Sequence, residues 1–219
     1  MSIESAYRIL IVDDHPIVRQ GLRRLIDQEE DLSVCGEAED VKEARNAIEA
    51  MSPDAVILDI SLRNSDGVDL IKELRLRRIK TPVLVLSMHD ESIYAERLLS
   101  AGANGYIMKQ EASDQFLVAL RGVLAGDIYV SNAVRGKMVK AAAAEDAVAD
   151  PISRLSNREL QVFNLIGQGL STREIAEKLN LSVKTIESHR LTIKDKLNID
   201  SATQLMRYAV RWTEGQTDP

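Results

Sequence analysis

Five short apolar runs separated by helical patterns predict an α/β domain built on a doubly wound, five-stranded parallel sheet, with a small all-α domain of four helices after it. Three observations carry this reading. The runs Ile9–Val12, Ala55–Leu58 and Val83–Leu86 are apolar at every position, which suits strands buried on both faces. Between and after them, apolar residues recur at spacings of three and four, as on helices laid against a sheet. Beyond Pro151 the strand-like runs stop and helix start signals crowd together.

Taken in order, the first strand, Ile9–Val12, precedes a helix marked by Ile17, Val18, Gly21, Leu22, Leu25 and Ile26. Leu32–Gly36 is a weaker second strand. Ala55–Leu58 leads to a helix with Val68, Ile71 and Leu74 on one face. Val83–Leu86 is the fourth strand and Gly105–Met108 a weaker fifth. A helix carrying Phe116, Leu117, Leu120, Val123 and Leu124 closes the domain, which spans residues 1–127 and ends at Gly126-Asp127. Residues 128–151 read as a linker. Its alanine-rich stretch favours helix and Pro151 ends it, so the linker is expected to be partly helical.

Residues 152–219 form the helical domain. Ser156-Asn-Arg-Glu159 and Ser171-Thr-Arg-Glu174 are capping boxes, with Leu155/Leu160 and Leu170/Ile175 as their hydrophobic staples. Ser182 caps a third helix running to about Leu197, and Ser201 opens a fourth running to about Trp212. The turn Leu179–Ser182 is short, and two helices joined in this way inside a bundle make a helix-turn-helix.

Composition narrows the function classes. No apolar run approaches the ~20 residues that span a bilayer, and the first residues lack the basic-then-apolar pattern of a signal peptide. Cys35 is the only cysteine, so no intrachain disulfide forms and a reducing cytoplasm is the expected compartment. In its apolar-leaning run it reads as a small buried hydrophobe rather than a reactive thiol. The net charge of −6 is unevenly spread. Residues 1–149 carry 18 basic and 25 acidic side chains, residues 150–219 carry 10 and 9. The acidity belongs to the first domain, and the second is free to approach phosphates.

In an open α/β sheet, ligands bind beyond the carboxyl ends of the strands. Asp13 and Asp14 follow the first strand, Asp59 the third, Ser87 the fourth and Lys109 the fifth. One aspartate after a strand is commonly just a turn former or helix cap; this set at four strand ends is hard to explain that way. Converging carboxylates repel one another, and Mg²⁺, which takes oxygen ligands, would relieve the repulsion. A carboxylate can also act as a nucleophile and form an acyl phosphate. Asp59 suits that role because it sits between the other acids and the hydroxyl and lysine. Lys109 would balance phosphoryl charge and Ser87 would hydrogen-bond a phosphoryl oxygen.

The residues Val12-Asp-Asp-His-Pro16, Leu58-Asp-Ile60, Asp66-Gly67, Leu86-Ser87 and Ala101–Lys109 resemble the receiver domain of two-component response regulators, over residues 7–126. The resemblance implies a flavodoxin-like fold with Asp59 as phosphoacceptor. It implies Asp14, Asp59 and the Ser61 carbonyl as Mg²⁺ ligands, with Asp13 acting through a metal-bound water. Ser87 and Tyr106 are then the switch pair. The chain departs from the usual pattern in the loop Asp59–Gly67, which lacks methionine-proline and looks one residue longer, and at Gln110, where many receivers have proline. His89 reads as a solvated loop residue; the alternative is that it tunes dephosphorylation.

On a 100° wheel, Ile186, Ile193 and Leu197 of the third C-terminal helix share a stripe that should face the bundle core. Lys184, Glu187, Ser188, Leu191 and Thr192 lie opposite, and Arg190 and Lys194 flank the stripe. A recognition helix presents this pattern. Lys184, Arg190 and Lys194 suit phosphate contacts, and Thr185 suits a phosphate at the helix N-terminus. Glu187 and Ser188 can reach base edges, and Leu191 a thymine methyl. His189 sits nearer the core edge and reads as a packed histidine.

Residues 152–212 resemble the LuxR-type domain of the NarL family through Leu155–Glu159, Gly167–Leu170, Glu174–Ala176, Leu181-Ser182, Thr185-Ile186, His189-Arg190 and Lys196-Leu197. Many members carry a basic residue or asparagine near Glu187. Together the two resemblances imply a transcriptional response regulator with a sensor histidine kinase and double-stranded DNA as partners, no membrane association, and a homodimer when phosphorylated or DNA-bound. The alternative is a phosphorylation-independent regulator with a vestigial pocket. An aspartyl-phosphate hydrolase is disfavoured. That chemistry needs a second acid two residues after the nucleophile, and Ser61 stands there.

Overall fold

The computed structural model describes residues 6–62, 66–88, 90–111, 113–143 and 151–217, and the chain divides into two compact units, residues 1–142 and 143–219. The first alternates β1 (Tyr7–Val12), α1 (Pro16–Ile26), β2 (Leu32–Ala38), α2 (Val41–Met51), β3 (Ala55–Leu58), α3 (Gly67–Leu76), β4 (Val83–Ser87), α4 (Glu91–Ser100), β5 (Gly105–Met108) and α5 (Ser113–Leu124), then adds α6 (Asn132–Ala143). The five strands pair in parallel in the order β2-β1-β3-β4-β5.

Burial follows the predicted pattern. Every residue of β3 and β4 and the last four of β1 are buried, because helices cover both faces. Ile9, Ile11, Ile57, Leu84, Phe116 and Leu120 belong to one continuous core. Cys35 is half-buried in β2 rather than fully buried, and its thiol pKa is pushed up by desolvation, which keeps it protonated.

Strand order reverses between β1 and β3, so connections leave those strands in opposite directions and open a crevice at their carboxyl ends. Val12 pairs with Leu58, which brings Asp13 and Asp59 out side by side. The helices are started by local chemistry. Pro16 stands at the first turn of α1, and Asp40, Asp66 and Asp90 cap α2, α3 and α4. Gly67 opens α3 against the crevice. A Cβ there would lie 2.9 Å from the Asp59 carbonyl oxygen and from Ile60 Cα, so only glycine lets α3 approach so closely.

Residues after 127, read from the sequence as linker, engage the first unit. The Tyr106 amide donates to the Tyr129 carbonyl at 2.8 Å, and the Tyr129 amide to the Asn104 carbonyl at 3.0 Å, extending the ladder at the β5 edge. The Ser131 amide donates to Glu91 Oε1 of α4 at 2.7 Å. Val130 and Val134 are buried. The linker is helical over α6; residues 144–150, the end of its alanine-rich stretch, lie outside the described residues.

The second unit begins with a 3₁₀ turn, Pro151–Arg154, followed by α7 (Asn157–Gly167), α8 (Thr172–Lys178), α9 (Val183–Leu197) and α10 (Ala202–Thr217), the last a turn longer than expected. Both capping boxes form. Asn180, at φ 51°, ends α8, and the Leu181 amide reaches back to the Ala176 carbonyl at 2.9 Å. This left-handed stop sets the turn that aims α9. Phe163 lies edge-on to Tyr208 and Trp212, each at 5.7 Å between ring centroids.

Glu159 ties two of these helices together. Its Oε2 accepts from the Ser156 amide at 2.6 Å and from Lys196 Nζ of α9 at 2.7 Å. Burial alone would raise its pKa; the Lys196 ammonium and the Ser156 amide outweigh that and hold it below the ordinary carboxylate range. The stability this gives is complete above about pH 4.3, the unfolded value, and is lost as pH falls through the lower folded value. Lys196 is partly exposed, so screening limits the gain. Lys196→Met is expected to destabilise this unit by about 1–2 kcal/mol at pH 7, with the difference shrinking toward pH 3. Urea melts of the two proteins at both pH values check this.

Candidate functional site

The site at the β1/β3 crevice is built from strand ends. Asp13 and Asp14 follow β1, and Asp59 follows β3 with its amide bonded to the Val12 carbonyl at 2.8 Å. Lys109 follows β5, its amide bonded to the Ser87 carbonyl at 2.8 Å. Asp13, Asp14 and Asp59 are buried, unusual for acids, and so is Ser87. Ligand atoms of Asp13, Asp14, His15 and Asp59 lie within 4.8 Å of one another.

Lys109 holds two of the acids. Its Nζ lies 2.6 Å from Asp13 Oδ2 and 2.7 Å from Asp59 Oδ2. Asp59 Oδ1 accepts from the Ser61 amide at 2.9 Å. Burial raises the Asp59 pKa, only partly countered by Lys109 and the Ser61 amide. Burial would lower the Lys109 pKa, but Asp59 and Asp13 override it and raise it. Three carboxylates against one ammonium leave the pocket net negative, with hard oxygen donors facing one another. That donor set fits a small divalent cation such as Mg²⁺.

Ser87 and Tyr106 are brought into contact. Tyr106 is almost fully buried and hydrogen-bonded to Ser87, and desolvation drives its phenol pKa far up, so it stays neutral. The ring therefore lies inside the fold, while its own amide meets the Tyr129 carbonyl.

Two residues given no role in the sequence reading belong to the site. The His15 amide donates to Asp13 Oδ1 at 2.8 Å, and its Nδ1 lies 2.8 Å from Asp14 Oδ1 and 3.2 Å from Asp13 Oδ1. The Asp-Asp-His-Pro run already put it there. Arg19 of α1 donates to the Asp13 carbonyl at 2.6 Å. Its other partners come from β2 and beyond, so no local pattern marked it. His89 and residues 63–65, part of the longer loop, lie outside the described residues.

On α9, Ile186 and Ile193 are fully buried and Leu197 half-buried, as the wheel requires. Lys184, Glu187, Ser188 and Leu191 are exposed, Leu191 at 57%, a large apolar side chain offered to solvent. Thr185, Arg190, Thr192 and Lys194 are half-buried along the edges of that face. Ser182 Oγ accepts the Thr185 amide at 3.0 Å and pairs with its hydroxyl at 2.7 Å. Thr192 donates its hydroxyl to the Ser188 carbonyl at 3.1 Å, which spends its donor inside the helix. His189 is half-buried and its pKa is lowered by desolvation, consistent with a packed, neutral ring.

Residues 9–121 match the response regulator receiver domain family, and residues 153–209 the luxR family of bacterial regulatory proteins. The oxygen regulatory protein NreC of Staphylococcus carnosus is 35% identical over 210 residues, covering 93% of this chain and 97% of its own. The response regulator UvrY of Escherichia coli O6:H1 is 32% identical over 203 residues, 93% of each chain. The solved structure of RcsB from Salmonella enterica serovar Typhimurium, bound to promoter rprA in the presence of phosphomimetic BeF3-, superposes with a TM-score of 0.59 at 30% identity, covering 94% of this chain and 99% of that one.

Proposed function

Since this chain belongs to the two-component response regulators that join a receiver domain to a LuxR-type DNA-binding domain, we propose that Asp59 accepts the phosphoryl group of a sensor histidine kinase and that this controls operator binding by α9. The observation that carries the assignment is Lys109 Nζ held between Asp13 and Asp59 in a pocket of three buried carboxylates.

The chemistry follows from those positions. The Asp59 carboxylate attacks phosphorus in line; the P–N bond to the kinase imidazole breaks and its electron pair returns to nitrogen. An acyl phosphate is left on Asp59. Lys109, released from one carboxylate, pairs with a phosphoryl oxygen, and the Ser87 hydroxyl donates to another. Asp13, Asp14, Asp59 and the Ser61 carbonyl would hold Mg²⁺, which supplies charge neutralisation at the phosphoryl oxygens. Ser61 stands where a hydrolase would need its acid–base carboxylate, so the acyl phosphate persists as a signal rather than turning over.

Transmission to the rest of the unit runs through Tyr106. A Ser87 hydroxyl drawn to phosphate leaves the phenol, and Tyr106 is bonded through its amide to Tyr129. Glu91 holds Ser131 in the same segment. The switch thus acts on the start of the linker, promoting dimerisation, release of the DNA-binding domain, or both. A homodimer places two copies of α9 about 34 Å apart on a near-palindromic operator.

The test is site selection from random duplexes by the full-length protein, with and without acetyl phosphate and Mg²⁺. Phosphorylation is expected to raise operator affinity at least tenfold, a bias of about 1.4 kcal/mol or more. Failure to take up phosphate would leave the vestigial-pocket alternative standing, and no change in affinity on complete phosphorylation would overturn the control of operator binding by Asp59. On the selected operator, Arg190→Ala and Lys194→Ala are each expected to weaken all sequences alike and lower the salt slope by about 1. Glu187→Gln is expected to change which bases are selected.

A further inference from the structure

Arg19 lies on the first helix, away from the strand ends that supply the pocket, and is nonetheless buried. Its guanidinium makes three bonds in three directions. Nη1 donates to the Asp13 carbonyl at 2.6 Å, Nε to Glu37 Oε2 at 3.1 Å and Nη2 to Glu39 Oε1 at 2.5 Å. Glu37 and Glu39 stand on and just after β2. The Asp13 amide, in turn, donates to the Ala38 carbonyl of β2 at 3.1 Å. The backbone of Asp13 is therefore gripped on both sides, its N–H by β2 and its C=O by an arginine anchored to the end of β2. The carbonyl of Asp13 and the amide of Asp14 share one peptide plane. Fixing it anchors the two Cα atoms from which both carboxylates extend.

An arginine that only joined α1 to β2 would need Glu37 and Glu39 alone. Arg23 makes such a link, donating from Nε to Glu37 Oε1 at 2.7 Å. The third bond, to the main chain of a pocket residue, is what sets Arg19 apart. A lysine keeps the charge, but it cannot reproduce a planar fork with acceptors on three sides.

We propose that Arg19 is a positioning residue for phosphoryl transfer: by clamping the Asp13–Asp14 peptide it aims the two carboxylates together and so sets the Mg²⁺ affinity of the pocket. This rests on the reading of the pocket given above. Charge alone makes the opposite prediction. Removing a cation beside an acidic site should tighten Mg²⁺ binding, whereas removing a clamp should weaken it. The sign of the effect separates the two.

The experiment is calorimetric titration of the full-length protein with MgCl₂, paired with the rate of phosphorylation by acetyl phosphate as Mg²⁺ is varied. Arg19→Gln, Arg19→Lys and the control Arg23→Gln are compared with wild type. Both Arg19 variants are expected to bind Mg²⁺ about tenfold more weakly, as loss of an orienting contact to a metal ligand does. The Mg²⁺ needed for half-maximal rate should rise in step, while the rate at saturating Mg²⁺ stays within about twofold to threefold, the mark of a positioning rather than a catalytic group. Arg23→Gln should stay within twofold of wild type in Mg²⁺ affinity. Unchanged or tighter binding in Arg19→Gln overturns the proposal. So does a wild-type affinity in Arg19→Lys, which keeps the charge, or an equal loss in Arg23→Gln. Should Arg19→Gln fail to fold, the lysine variant decides. A wild-type protein that neither binds Mg²⁺ nor accepts phosphate overturns the pocket reading as well.

Discussion

Asp59→Asn protein is expected to take up no phosphoryl group from acetyl phosphate with Mg²⁺, and its operator affinity should stay at the unphosphorylated level when the donor is added. The loss should be complete, because a neutral amide oxygen is a poor nucleophile. Folding gives no rival explanation. Asparagine has the shape of aspartate and its Oδ1 still accepts the Ser61 amide; its Nδ2 cannot accept from Lys109, which turns to its other partner, Asp13. Burial already penalises the charged form of Asp59, so replacing one of three clustered acids leaves thermal stability unchanged or slightly higher. Intact mass after donor treatment, beside a thermal melt, reads both. An Asn variant that gains one phosphoryl group at the wild-type rate would refute the assignment.

Gly167→Ala is expected to destabilise the DNA-binding unit by about 2 kcal/mol. Gly167 is the last residue of α7, and a Cβ on it would meet the Ala209 carbonyl oxygen of α10 at 2.5 Å and Thr213 Oγ1 at 2.1 Å. Thr213 is not free to swing aside at no cost, since its hydroxyl donates to that same carbonyl at 2.9 Å. The two helices must separate, and the ring packing of Phe163 on Tyr208 and Trp212 loosens with them. Overpacking of this kind costs about 1–3 kcal/mol. Alanine's better helix propensity recovers less than about 1 kcal/mol. In a unit this small a net loss of about 2 kcal/mol lowers Tm by roughly 10 °C. Trp212, the chain's only tryptophan, reports the transition by fluorescence. Gly215→Ala, on α10 with nothing within 4 Å of its Cβ, is the control and should be neutral or slightly stabilising. Equal stability of Gly167→Ala and Gly215→Ala would show that the helices yield there freely.

Much of the fold was legible because it is written in local signals. Apolar runs gave the positions of β1, β3 and β4, and the two Ser-x-x-Glu boxes marked the starts of α7 and α8 to the residue. Strand ends were legible for the same reason, and with them Asp13, Asp14, Asp59, Ser87 and Lys109. The exposed face of α9 followed from periodicity alone. What was harder to read depends on partners distant in sequence. Tyr129 and Ser131 looked like linker because their ties, to Asn104, Tyr106 and Glu91, lie 23 to 40 residues back.

Thus composition, spacing and periodicity by themselves determined the α/β-then-helical order, the acidic pocket at the strand ends and the exposed face of α9, since each of these is set by which residues follow one another. The tertiary structure alone decided that Lys109 spans Asp13 and Asp59, that Tyr106 is buried against Ser87, that Glu159 of α7 pairs with Lys196 of α9, and that Arg19 grips the Asp13 peptide. Those are contacts of long, flexible or buried side chains. Their geometry is set by how β-strands and helices pack across the sheet and the bundle, and no one-dimensional pattern encodes it.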